Sequence, residues 1–307
     1  MDGLLVIDKP IGPTSHDVVA RVRHALGERR VGHTGTLDPA AGGVLPLVMG
    51  RATRLAQFLS GADKEYEATI TLGVETDTYD SEGQPVGALY GGGFPSRDAI
   101  DEALGRFRGT FLQQPPAFSA KKIEGTRSYK HAREARRSAF GAKASAALPA
   151  PVSVTAHAID LLDVQGSRVV VRLHCSAGFY VRSLAHDLGE QLGTGACLAA
   201  LTRTRSGDAL LADAVALATI ERDPEAAARA LIPLSRMLPA LEAVVLTVEG
   251  VRRATHGREL GPADVADARR ASGAGRFVRL LDAAGDLVGV AEPGSASGLL
   301  HPSVVLR

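Results

Sequence analysis

The apolar run Leu4-Leu5-Val6-Ile7 stops at Asp8-Lys9-Pro10, the pattern of a short buried strand ended by a turn. Val18, Val19, Val22 and Leu26 then recur at helical spacing behind Thr14 and Ser15, either of which can cap a helix that Gly27 ends. Val44-Leu45-Pro46-Leu47-Val48 reads as a buried strand whose proline implies an edge or a bulge. Residues 53–59 suit a short helix, and Tyr66 to Leu72 alternates in the way of a half-buried strand. Asp77 to Gly83 is a polar turn and Tyr90 to Pro95 a glycine-rich loop. Behind the cap Ser96, the positions Ala99, Ile100, Ala103, Leu104 and Phe107 form the inward face of a helix.

Further on, Val152 to Asp163 and Ser167 to Ser176 read as two strands, the second rich in β-branched residues. Gly178-Phe179-Tyr180-Val181-Arg182 leads into a helix over 183–192 that Gly193 stops. A cation at a helix start opposes the dipole, so Arg182 points to a partner elsewhere. Asp223 and Pro224 are an N-cap and a first helical residue. From about Leu246 the chain changes to short strands and glycine turns, with a hairpin loop at 282–286, which predicts a separate small β-rich domain.

With 307 residues, 45% of them hydrophobic and 22% charged, the chain can bury a sizeable core. Its net charge of +1 gives no global attraction to polyanions, so any nucleic-acid surface must come from local clustering. Such clustering exists at 119–143, where Lys121, Lys122, Arg127, Lys130, Arg133, Arg136, Arg137 and Lys143 face only Glu124 and Glu134. That stretch suits a phosphate-contacting arm as well as a solvated helix face. Two cysteines, Cys175 and Cys197, are too few for a disulfide framework and fit a reduced, cytoplasmic compartment. No stretch is apolar for long enough to span a membrane, and no signal-peptide pattern stands at Met1 to Pro10. The scattered histidines show no metal-ligand spacing, so no metal is expected.

The densest chemistry lies at Gly32-His33-Thr34-Gly35-Thr36-Leu37-Asp38-Pro39-Ala40-Ala41-Gly42-Gly43. Asp38 is the one formal charge in it. Pro39 keeps Asp38 out of the helical region, and the glycines permit close backbone approach. A lone carboxylate in a stiff loop suits a nucleophile or an acid/base. The same residues also make an ordinary Asp-Pro turn. A phosphate-binding loop is excluded, because the Gly-Lys-Ser/Thr ending is missing.

Taken in order, several motifs resemble the TruB family of tRNA pseudouridine synthases. They are Asp8-Lys9-Pro10 with Thr14-Ser15-His16-Asp17; Val31 through Pro39; Lys64-Glu65-Tyr66; Leu72-Gly73 with Thr76-Asp77-Thr78; Pro115-Pro116 through Ser119-Ala120; Cys175 through Arg182; and Leu201-Thr202-Arg203. Gly42 and Thr202 depart from the commonest family pattern. The resemblance implies a mixed α/β (α+β) fold: a catalytic domain over 1–245 with a central, largely antiparallel sheet, and a PUA-like RNA-binding domain over 246–307. The 119–143 stretch falls where the family carries a thumb that grips tRNA.

The resemblance also implies a reaction and its residues. Uridine at position 55 of the tRNA T-loop would be flipped out and isomerised to pseudouridine. Asp38 is the essential carboxylate and Arg182 its partner cation; Tyr66 lies against the flipped base. His33 shapes the space the base leaves, while Tyr180 and Leu201 line the pocket. Lys9, Lys121 and Lys122 are candidate RNA contacts. No cofactor is implied, because the glycosidic bond moves within one substrate. The expected partner is tRNA alone, bound by a monomer with no obligatory protein subunit; a guide-RNA-dependent relative and a non-catalytic RNA-folding protein are the alternatives.

Overall fold

The computed structural model describes residues 1–119, 121–123, 126–128, 148–267 and 276–307, of which 122–123 and 126–127 are described by backbone alone. The chain divides into two compact units. One comprises Met1–Leu37, Leu45–Ser60 and Ala212–Arg307, the other Asp38–Val44 and Gly61–Leu211.

In the second unit, the strand Ala196–Ser206 runs parallel to the start of the strand Ala41–Met49, pairing Leu201 with Ala41 and Arg203 with Gly43. Its other edge is antiparallel to Lys64–Leu72, which pairs in turn with Arg168–Cys175, then Val152–Gln165, then Gly109–Gln113, every step antiparallel. The central sheet is thus largely antiparallel, as the resemblance implies. Along Lys64–Leu72 alternate residues are buried, so Lys64, Tyr66, Ala68, Ile70 and Leu72 share the inner face. The helix Val181–Leu192 ends in Gly193 at φ +68, and Arg97–Gly105 is capped by the Ser96 hydroxyl. Ala99, expected inward, is exposed.

In the first unit, Gly3–Lys9 lies parallel to Val215–Ala216 and antiparallel to Ile232–Pro233, while Val31–His33 pairs with Leu47–Met49. The helix Ser15–Leu26 packs Val18, Val19 and Val22 onto Leu5, Ile7, Leu45 and Leu47. Thr14 is its cap, in a reciprocal capping box with Asp17. Pro46 falls between the stretch that pairs with Ala196–Ser206 and the stretch that pairs with Val31–His33, so on that side of its strand it stands at a local gap in the ladder, where no N–H is asked of it.

A five-stranded sheet closes the chain, in the order Val265–Asp267, Glu242–Leu246, Val278–Leu281, Leu287–Pro293, Leu300–Val305. One apolar cluster joins Leu287, Val290, Val304 and Leu306 of this segment to Leu4, Val48 and Leu55 within the same unit. No helix among the described residues is long and apolar enough to cross a membrane.

Candidate active site

Asp38 opens a turn with Pro39 behind it, and its carbonyl accepts the Ala41 amide at 3.0 Å. The residue before it is pinned as well. The buried Ser15 hydroxyl accepts from the Leu37 amide at 2.9 Å and donates to the Leu37 carbonyl at 3.0 Å. The Asp38 backbone is therefore fixed from both sides, and its carboxylate reaches out with the side chain 45% exposed.

Arg182 comes from the second residue of the helix Val181–Leu192 and is 8% exposed. Its Nε lies 3.0 Å from Asp38 Oδ2 and its Nη1 3.5 Å from Asp80 Oδ2. Nη1 also donates to the Thr78 carbonyl at 3.1 Å, and Nη2 to the Phe118 carbonyl at 2.9 Å. One planar fork is thus shared by two carboxylates and two carbonyls, a task for guanidinium rather than ammonium. With the Asp38 carboxylate nearly half in water, Arg182 aims it more than it offsets burial.

Asp80 was hidden in the polar turn. Its Oδ1 accepts from the Thr78 hydroxyl at 2.6 Å and the Glu82 amide at 3.2 Å, and its carbonyl accepts from the Thr76 hydroxyl at 2.6 Å. Asp38, Asp80 and Arg182 line a small hollow with Ala40, Ala41 and Leu198 through Leu201.

Tyr66 is buried, opposite Arg203 on one neighbouring strand and Leu173 on the other. Burial pushes its phenol up; a hydrogen bond from Arg203 works against this. Arg203 is 1% exposed and donates from Nε to the Val44 carbonyl at 2.7 Å. Tyr180 caps the helix of Arg182. The Gln113 side-chain amide clamps its backbone, accepting from the amide at 2.8 Å and donating to the carbonyl at 3.0 Å. Burial raises the Tyr180 phenol too, with a Ser119 hydrogen bond opposing.

The other candidates lie in varied settings. Leu201 is half-buried at the hollow. The half-buried His33 packs edge-on to His16 at 5.2 Å between centroids. Lys9 is not solvated in a turn but 1% exposed at a strand end, its ammonium donating to the Pro10 carbonyl at 3.0 Å. Lys121 is exposed, and Lys122 begins a two-residue strand. Lys130, Arg133, Arg136, Arg137 and Lys143 lie outside the described residues. Asp63, His157 and His174 converge although no spacing announces them, with His174 Nε2 3.0 Å from an Arg205 guanidinium nitrogen.

Residues 23–181 match the N-terminal domain of the TruB family pseudouridylate synthases, and 182–249 match the tRNA pseudouridylate synthase B C-terminal domain. A relative from Solibacter usitatus (strain Ellin6076), tRNA pseudouridine synthase B, is 41% identical over 312 residues, covering 100% of both chains. One of the same name from Dechloromonas aromatica (strain RCB) is 40% identical, covering 100% of this chain and 96% of its own. Among solved structures, a chain of a Cbf5–Nop10–Gar1 complex matches at a TM-score of 0.73 and 26% identity, over 99% of this chain and 85% of that one. A chain of an H/ACA RNP bound to a substrate RNA containing 2′-deoxyuridine matches at 0.71 and 26% identity, with the same coverage.

Proposed function

Because the chain belongs to the TruB family of pseudouridylate synthases, we propose that it isomerises uridine 55 in the T-loop of tRNA to pseudouridine, with Asp38 as the essential carboxylate. The observation that carries this reading is the Asp38–Arg182 contact at 3.0 Å beside a hollow that Ala40, Ala41, Asp80 and Leu198 through Leu201 complete.

A base inside a folded loop must leave its stack to reach Asp38, which costs a few kcal/mol. Stacking on Tyr66 returns about 1–3 kcal/mol. The N1–C1′ bond breaks, the base turns, and C5 joins C1′; C5 then loses a proton and N1 gains one. Attack on C1′ and removal of a sugar proton are the two roles open to Asp38, and both use its charged oxygen. Tyr66 offers its ring as the stacking surface, and its hydroxyl is open to assist the proton removal from C5. Leu201 and Tyr180 wall the pocket, and His33 shapes the space that the base leaves. Lys121, Lys122 and the rest of 119–143 meet phosphates, as does the PUA-like segment 246–307.

The chain acts on tRNA alone, in the cytoplasm. The solved structures that it resembles include assemblies with Nop10 and Gar1, but relatives matched over their full length are named tRNA pseudouridine synthase B, which favours stand-alone action. Purified chain incubated with a bare tRNA transcript, followed by pseudouridine-selective labelling, should place one modified base at position 55. An unlabelled transcript, modified only after guide RNA and protein partners are added, would favour the other reading.

A further inference from the structure

We propose that Tyr79 and His186 are a positioning pair that holds the Asp80 loop against the Arg182 helix and so fixes the aim of Arg182 at Asp38. The inference rests on the proposed function. Among the described residues only Tyr79 and Leu238 combine a side chain with positive φ, Tyr79 at +65. A bulky residue persists there only where its surroundings impose it. Glycine would meet the same backbone path without strain. A tyrosine in that place therefore contributes through its ring.

That ring lies on His186 at 3.9 Å between centroids with 5° between planes. His186 follows Arg182 by four residues in the helix Val181–Leu192, so the two share one face. The neighbours of Tyr79 in sequence both face Arg182, Thr78 through its carbonyl at 3.1 Å and Asp80 through Oδ2 at 3.5 Å. Left-handed backbone at residue 79 lets positions 78 and 80 turn to Arg182 while the ring turns to His186. The loop is also laced to the strand Ala196–Ser206, the Leu198 amide donating to the Tyr79 carbonyl and the Ser81 amide to the Leu198 carbonyl, both at 2.9 Å. Burial raises the Tyr79 phenol, and Asp187, Glu190 and Glu75 add to the rise, so the ring stacks as a neutral one. One helix face thus grips the loop twice, by charge at Arg182 and by ring at His186.

The test compares Tyr79→Gly, Tyr79→Phe and His186→Ala with wild type. Glycine suits positive φ and alanine suits a helix, so neither change threatens folding. Tyr79→Gly and His186→Ala should lower kcat roughly tenfold to a hundredfold, as a displaced catalytic group does, with KM for tRNA unchanged. Tyr79→Phe should restore kcat, and the double variant should be no slower than the slower single one. Hydrogen exchange at Leu198 and Ser81 should speed up in Tyr79→Gly whether or not the protein turns over. Faster exchange in a chain that makes no pseudouridine would sink the proposed function and leave the loop-holding pair standing. Unchanged exchange, or kcat within about twofold of an active wild type, overturns the pair.

Discussion

Arg182 carries four contacts with one side chain, and only two of its partners are acids. Losing it would leave Asp80 without its cation and two carbonyls without this donor, so truncation confounds chemistry with stability. Arg182→Lys is the sharper change, since it keeps the charge but cannot form the fork. It should bind tRNA normally, melt within a few degrees of wild type, and turn over at least about tenfold slower, as judged by single-turnover pseudouridine formation. Asp38, Tyr66 and Arg182 are candidates from the sequence alone because each stands in a motif of unusual residue types, and the structure brings Asp38 and Arg182 into contact. Asp80 is not such a candidate, since an acid among Thr and Gly in a turn looks like any solvated loop. The sequence offers Ser15 only as a possible cap, whereas its hydroxyl pins Leu37 and Thr14 does the capping. A lysine before a proline signals a turn, whereas here the strand carries Lys9 into the interior.

At the scale of elements, Leu4–Ile7, Tyr66–Leu72, Val169–Cys175 and the helices behind Thr14, Ser96 and Asp223 follow from their own periodicity and caps. The strand Ala196–Ser206 does not. Its alanines, threonines and arginines give no strand signal, and pairing on both edges makes it one. That strand meets the chain that follows Asp38 at Gly43, which has φ +94. A Cβ there would fall 2.3 Å from the Arg203 carbonyl oxygen. Gly43→Ala should therefore cost at least about 2 kcal/mol, strain and clash together. Denaturant unfolding measures this directly.

On the scale of the whole molecule, the near-neutral chain concentrates its basic residues at 119–143. Replacing Lys121, Lys122, Arg136 and Arg137 with Ala should weaken tRNA binding. The slope of log K against log salt should flatten by about 0.7 to 0.9 per lost phosphate contact. An unchanged slope would remove the arm from the interface. Everything else converges on one carboxylate. Asp38→Asn keeps the size and most of the hydrogen bonding of Asp38 and removes its charge, while phosphate contacts and stacking, which dominate affinity, remain. The decisive measurement is single-turnover pseudouridine formation on tRNA by freshly prepared Asp38→Asn, its mass checked against deamidation. The expected result is a folded protein that binds tRNA like wild type and forms no detectable pseudouridine. Turnover within roughly tenfold of wild type, less than a positioned acid or base contributes, would make Asp38 a structural turn residue and contradict the account.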